Sequence, residues 1–159
     1  MKPKVYVETT IFSVLVARPT NNLLDAARQQ TTRIWWQNDA DHFDLFTSEA
    51  VRMEALVGDP EMARQRLEYI ASLPRLSATD DAQQLSQEIL SRRWLPARAK
   101  VDALHLAIAA VHRMDFLLTW NCKHLANPMI SRQISRHLAH LGYNPPFVCT
   151  PLGFSGATT

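Results

Sequence analysis

The sequence predicts an α/β protein with a three-layer arrangement, a central, mostly parallel β-sheet flanked by helices. Two observations carry that expectation. Short β-branched and aromatic runs alternate with segments of helical periodicity, the pattern of strands joined by crossover helices. One run, Asp115 to Thr119, is almost continuously apolar, as a parallel strand covered on both faces must be. A chain of 159 residues that is 47% hydrophobic can build one continuous core. The expected organisation is a single domain over 1–154 and a flexible Gly/Ser/Thr tail over 155–159, without internal repeats or linkers.

The elements follow in order. Lys4 to Val7 reads as a strand that stops at Glu8-Thr9-Thr10, where polar side chains can cap a helix carrying Ile11, Phe12 and Leu15. Leu24 to Gln37 reads as an amphipathic helix with Ala27, Ile34 and Trp35 on its apolar face and Arg28 and Gln29 directed elsewhere. Phe43 to Thr47 is a second strand, and Ser48 caps a helix that holds Glu54 and ends at Gly58. Asp59-Pro60 is an N-cap followed by proline at the first helical position, with Met62, Leu67, Ile70 and Leu73 as core candidates. Arg75 to Ser77 suits an edge strand, and Asp80 to Arg92 a helix buried through Leu85 and Ile89. The alanine-rich segment Ala97 to His112 reads as a central helix enclosed on more than one side. After the Asp115 to Thr119 strand, Ile130, Ile134, Leu138 and Leu141 recur at helical spacing, Gly142 takes the C′ position, and Phe147 to Thr150 forms a last strand.

Composition narrows the function. No apolar stretch reaches the ~18–20 residues needed to cross a bilayer, and Met1 runs into a strand without a signal-peptide core, so a cytoplasmic protein with no membrane contact is expected. Cys122 and Cys149 suit neither a disulfide framework nor a cysteine zinc site and are read as reduced thiols. His105, His112 and His124 complete no paired zinc motif and are assigned structural or surface roles. Trp35, Trp36 and Trp94 are assigned to core packing or a protein interface in preference to base stacking. The net charge of +2 permits contact with a polyanion without requiring it.

The chemistry lies in where the acids fall. Glu8 closes the first strand, Asp102 lies early in the central helix, and Asn121 follows the strand after it. Ligands of open parallel sheets gather at the carboxyl ends of strands, which places Glu8 and Asn121 at one edge. Glu54, on the helix after the second strand, can point into the same crevice. Three carboxylates and an amide make an oxygen-rich set suited to Mg²⁺ or Mn²⁺.

These residues resemble the PIN domain, and within it the VapC-type toxin ribonucleases, over nearly the whole chain. Val5-Tyr6-Val7-Glu8-Thr9-Thr10 is similar to the family's opening strand and acidic turn, with Glu8 where Asp is usual. Ser48-Glu49-Ala50-Val51-Arg52-Met53-Glu54 is similar to the second motif and selects Glu54 over Glu49. Asp102-Ala103-Leu104-His105-Leu106-Ala107 and Phe116-Leu117-Leu118-Thr119-Trp120-Asn121 resemble the third and fourth, the latter with Asn121 where the family commonly has Asp. The resemblance implies a PIN-like fold and a metal-dependent endoribonuclease. Glu8, Glu54 and Asp102 would be the catalytic metal ligands, and Asn121 a neutral fourth. One metal ion would be held firmly and a second mainly with RNA present. Thr9, Thr10 and Thr119 would orient the carboxylates, and Lys123 is the preferred phosphate contact within a scattered rim of Arg92, Arg93, Arg98, Lys100 and Arg132. The implied partners are an RNA substrate, a cognate antitoxin and a second copy of the chain. Two alternatives stand beside this: a noncatalytic RNA- or protein-binding module whose altered Glu8 and Asn121 positions have lost the chemistry, and a metal-dependent phosphatase or DNA nuclease.

Overall fold

A computed structural model describes residues 1–155. Its sheet is built from β1 (Lys4–Val7), β2 (Asp44–Ser48), β3 (Arg75–Leu76), β4 (Phe116–Leu118) and β5 (Phe147–Cys149). All five strands are parallel, in the order β3-β2-β1-β4-β5. Val5, Tyr6 and Val7 are each fully buried. Successive strand residues point to opposite faces, so complete burial of all three requires layers on both sides.

The helices are α1 (Thr9–Val16), α2 (Leu23–Asn38), α3 (Glu49–Ala55), α4 (Pro60–Ala71), α5 (Asp80–Ser91), α6 (Lys100–Val111) and α7 (Pro128–His140). Their starts follow local capping chemistry. Glu8, Asn22, Ser48, Asp59, Thr79 and Asn127 each accept a hydrogen bond from a backbone N–H of the first turn. Gly142, with φ +93°, takes up the left-handed turn that releases α7. Helices α1 to α4 pack on one another, and α5 packs along α6.

β1 occupies the position that matters for function. The chain adds β2 and β3 on one side of it, then returns to add β4 and β5 on the other, so the direction of sheet growth reverses between β1 and β4. A crevice forms outside the carboxyl ends of the strands at such a switch point. Glu8 N–H donates to the Leu118 carbonyl at 3.0 Å and ties the two strand ends together there.

Several sequence expectations need correction. β2 begins and ends one residue later than expected, because a short 3-10 turn at Ala40–His42 leads into it. α6 starts at Lys100, three residues after the expected Ala97. The buried face of α2 is not the apolar one: Ala27 is exposed and Ile34 is 47% exposed, whereas Gln29, Thr32 and Trp35 are buried. Long-range hydrogen bonds make that face possible. Gln29 Nε2 donates to the Arg18 carbonyl, and Thr32 Oγ1 accepts from Trp120 Nε1. Leu141 is exposed, not a core residue.

Trp35 lies in an aromatic stack with Phe43 and Phe154, ring centroids 5.9 Å away in both cases. Phe154 thereby fastens the segment that follows β5 to the core, and Ser155 Oγ donates to Asp39 Oδ1 at 2.8 Å. The rest of the expected tail, 156–159, lies outside the described residues. No helix among the described residues is long and apolar enough to cross a membrane.

Candidate metal centre

The switch point places Glu8 at the N-cap of α1, with its side chain 96% shielded from solvent in the crevice. One carboxylate oxygen, Oε1, accepts from Thr10 N at 3.2 Å, Thr10 Oγ1 at 2.5 Å and Thr119 Oγ1 at 2.6 Å. The same two hydroxyls accept in turn from the backbone, Thr10 Oγ1 from Trp120 N and Thr119 Oγ1 from Asn121 N. The helix cap and the β4 exit loop are therefore locked through one oxygen atom, and Oε2 is left facing the crevice.

Glu54 arrives from α3, where the Ser48 cap fixes the helix start. Its Oε1 accepts from Thr9 Oγ1 at 2.6 Å and lies 2.6 Å from His105 Nε2. His105, three residues beyond Asp102 on α6, is fully buried and also stands 4.0 Å from Glu8 Oε2. Its other nitrogen, Nδ1, is 2.6 Å from the Tyr6 hydroxyl, which is itself 2.6 Å from Ser48 Oγ. Glu8, Glu54 and His105 each bring one ligand atom within 4.8 Å of the others.

Asp102 does not join that group. Asn121 Nδ2 donates to its Oδ1 at 3.3 Å, and His124 Nδ1 lies 3.2 Å from its Oδ2. Asn121 Oδ1 accepts from His124 N, so its carbonyl acts as a local cap in the β4 exit loop. The four expected ligands thus fall into two neighbouring clusters, one around His105 and one around Asp102. Lys123 is exposed beside the second cluster in sequence, as are Arg92, Arg93, Arg98, Lys100 and Arg132 elsewhere on the surface. Cys122 and Cys149 are free, and burial pushes the Cys149 thiol up to about 12.

His105 is the residue that sequence reasoning assigned to a structural or surface role. Its usable signal was its position three residues after Asp102, which puts both on one side of a helix. The surrounding apolar residues hid that signal.

Electrostatics bind the first cluster together. Burial raises the Glu8 carboxyl above its usual range despite the lowering effects of His105, Thr10 and Thr119. Burial also acts on Glu54, but hydrogen bonds from His105 and Thr9 and the His105 charge outweigh it and leave that carboxyl low. For His105 burial disfavours the charged ring, yet the Glu54 hydrogen bond and the Glu8, Glu54 and Asp102 charges prevail and raise it. The cluster thus calls for positive charge beside its carboxylates, the charged forms of His105 and Glu54 being favoured together while burial disfavours charge on Glu8. A divalent cation answers the same demand, and two carboxylates with an imidazole nitrogen form a donor set that fits one.

Fold and site together define an α/β protein of PIN-like architecture with a buried carboxylate–histidine cluster at its switch point. Two solved structures share that fold. VapC20 of Mycobacterium tuberculosis, a toxin that cleaves the sarcin–ricin loop, matches with a TM-score of 0.56 and 19% identity over 71% of this chain and 86% of that one. VapBC2 of Rickettsia felis, bound to a DNA fragment from their promoter, matches with a TM-score of 0.53 and 12% identity over 92% of this chain and 98% of that one. No protein-family model matches the sequence, and no curated protein matches it.

Proposed function

We propose that this chain is a metal-dependent endoribonuclease, the cytoplasmic toxin of a toxin–antitoxin pair, with Mg²⁺ or Mn²⁺ as its cation. The observation that carries the reading is the pairing of Glu8 and Glu54 within 4.8 Å at the switch point, each anchored by threonine hydroxyls. Two carboxylates brought so close in a shielded crevice repel each other unless a positive charge stands between them. The likeness in fold to a toxin that cleaves RNA directs the choice of substrate.

The chain's residues divide the work by position. Glu8 and Glu54 hold the firm cation, and their Thr9, Thr10 and Thr119 partners keep one oxygen of each engaged so that the carboxylates cannot rotate away. Asp102, held by Asn121 and His124, is the remaining acid and the place for a second cation once RNA supplies phosphate oxygens. Lys123 steadies the phosphate. A divalent cation held by these residues would supply an acidified water and positive charge to offset the negative charge developing on the phosphate. Exposed apolar side chains, Leu23, Leu24 and Ile34 on α2 and Met53, Leu56 and Val57 at the end of α3, are available for the antitoxin and for a second copy of the chain.

A second reading, a noncatalytic RNA- or protein-binding module, is favoured by one observation: Asp102 is engaged by Asn121 and His124 instead of joining Glu8 and Glu54. The deciding experiment incubates wild type and Asp102→Ala, both verified as folded, with structured and single-stranded RNAs in Mg²⁺, Mn²⁺ or EDTA. Matched DNA and small phosphate esters run alongside. Cleavage of RNA that requires metal and Asp102 is expected. RNA binding that is unaffected by EDTA and yields no products would transfer the assignment to the binding module, and preference for DNA or monoesters would change the substrate class.

A further inference from the structure

His105 is better placed than a core histidine needs to be. Its ring is fully buried, tilted against Tyr6 at 5.6 Å between centroids, with Nδ1 taken by the Tyr6 hydroxyl. Nε2 points outward into the crevice, 2.6 Å from Glu54 Oε1 and 4.0 Å from Glu8 Oε2. Thr10 and Thr119 hold Glu8 by Oε1, so its Oε2 is the oxygen that faces Nε2, whereas Thr9 and Nε2 meet at the same Glu54 oxygen, Oε1.

The present spacing is that of a hydrogen-bonded cluster and lies close to that of a ligand set. A cation about 2.1–2.2 Å from each donor requires donors about 3.0–3.5 Å apart. The two Nε2 separations, 2.6 and 4.0 Å, straddle that range. Side-chain movements of several tenths of an ångström would equalise them.

The hydrogen-bond chain behind the ring can serve it in two directions. With Nε2 carrying hydrogen, Nε2–H donates to Glu54, and Nδ1 accepts from Tyr6 O–H, which accepts from Ser48. With Nε2 bare, Nδ1–H donates to Tyr6, which donates to Ser48 Oγ. Ser48 Oγ also accepts from Val51 N at 3.2 Å, so the far end of the chain is fixed by the α3 cap. Every member of this relay both donates and accepts, and the distances of 2.6 Å suit either direction. A ligating histidine requires such a partner on its other nitrogen.

We propose that His105 Nε2 is itself a ligand of the cation, making the centre a Glu8–Glu54–His105 site that prefers Mn²⁺ and the later divalent transition ions to Mg²⁺. The inference rests on the metal-dependent reading given above. Mg²⁺ prefers oxygen donors, whereas an imidazole nitrogen favours the transition ions. One nitrogen among two carboxylates therefore shifts selection within a site that an oxygen-only set would leave to Mg²⁺.

The test reads the bond directly. Full-length protein, prepared with natural-abundance or ¹⁵N-labelled histidine, is loaded with Mn²⁺ and its nitrogen coupling measured by pulsed electron paramagnetic resonance. A directly coordinated histidine signal that changes with the isotope and survives His124→Gln is expected. Calorimetric titration of wild type and His105→Gln should show Mn²⁺ affinity lowered at least ~10-fold and Mg²⁺ affinity lowered less than about threefold, on the scale by which ligand-shell changes act. The wild-type spectrum decides the point even if His105→Gln fails to fold. Bound Mn²⁺ without directly coordinated histidine nitrogen overturns the inference while leaving a metal-dependent nuclease standing. Absence of Mn²⁺ binding overturns it as well, and RNA cleavage in EDTA would then remove the metal-dependent reading too.

Discussion

Two fully buried threonines at the carboxyl ends of the strands on either side of β1 set up an internal comparison. Thr119, just beyond β4, donates to Glu8 Oε1 at 2.6 Å and accepts from Asn121 N at 2.9 Å. Thr47, in β2, has no hydrogen-bond partner for its hydroxyl among the described residues. Replacing each with valine preserves shape and removes the hydroxyl. At Thr119 the change deletes a hydrogen bond to a charged group, about 1.5–3 kcal/mol, and strands a half-buried N–H at about 1 kcal/mol. The expected loss is therefore about 2.5–4 kcal/mol. At Thr47 it removes a buried group that has no partner, so stability should hold or rise by about 1 kcal/mol.

A chain of this size changes its melting temperature by about 2–4 °C per kcal/mol. The two variants should consequently differ by roughly 10 °C when followed by circular dichroism in EDTA. Thr119→Val should also weaken Mn²⁺ binding by about 10-fold or more, because Glu8 loses one of its orienting donors. Thr47→Val should leave that affinity unchanged. If the variants melt within about 1 kcal/mol of each other, the anchoring of Glu8 by Thr119 is not the organising contact described here.

Tyr6→Phe breaks the relay between Ser48 and His105 and should lower Mn²⁺ affinity about 10-fold; unchanged affinity in calorimetry would mean that Nδ1 needs no partner. In the metal-free protein His105 is raised, so its contribution to stability is present below its unfolded value and lost as pH rises through its folded value. Glu8 is raised too and acts in the same direction, while the lowered Glu54 contributes stability above its unfolded value that is lost as pH falls. Melting temperature in EDTA should fall as pH rises above the ordinary histidine value of about 6.5, and saturating Mn²⁺ should remove that slope, since the cation replaces the ring proton; a melting temperature that climbs with pH over that range in EDTA contradicts the charge arrangement. Phe154→Ala opens the stack with Phe43, Phe116 and Trp35 and should cost about 2–3 kcal/mol in denaturant unfolding, with no effect on metal affinity; a loss under about 1 kcal/mol would show that the segment after β5 is not fastened there.

What the sequence made legible was local or topological. Glu8 closing a strand and Ser48 and Asp59 beginning helices are signals that lie within four residues of their effect. The meeting of Glu8 with the Thr119–Asn121 loop followed from the alternation of strands and helices, because a parallel sheet brings strand ends to one edge. The buried face of α2 was illegible for the opposite reason. Gln29 and Thr32 are buried through partners at Arg18 and Trp120, and polarity alone pointed them outward. His105 sits among Leu104, Leu106, Ala107 and Ile108, where an imidazole reads as part of an enclosed helix. Its direction is fixed by Tyr6, ninety-nine positions away in the sequence.

Glu8 joins the two kinds of information. A glutamate after a strand and before a helix reads equally as a cap or as a ligand, and the geometry makes these roles compatible within one carboxylate. Oε1 accepts the Thr10 N–H that caps α1 and the two threonine hydroxyls, while Oε2 faces His105 across 4.0 Å. The cap is therefore also the device that aims the site. The capping bond fixes which oxygen remains free, and glutamate carries one methylene more than aspartate to span from Thr10 towards His105. The longer side chain, the histidine one helical turn beyond Asp102 and the threonines that hold the carboxylates form one physical arrangement, and each makes geometric sense of the others.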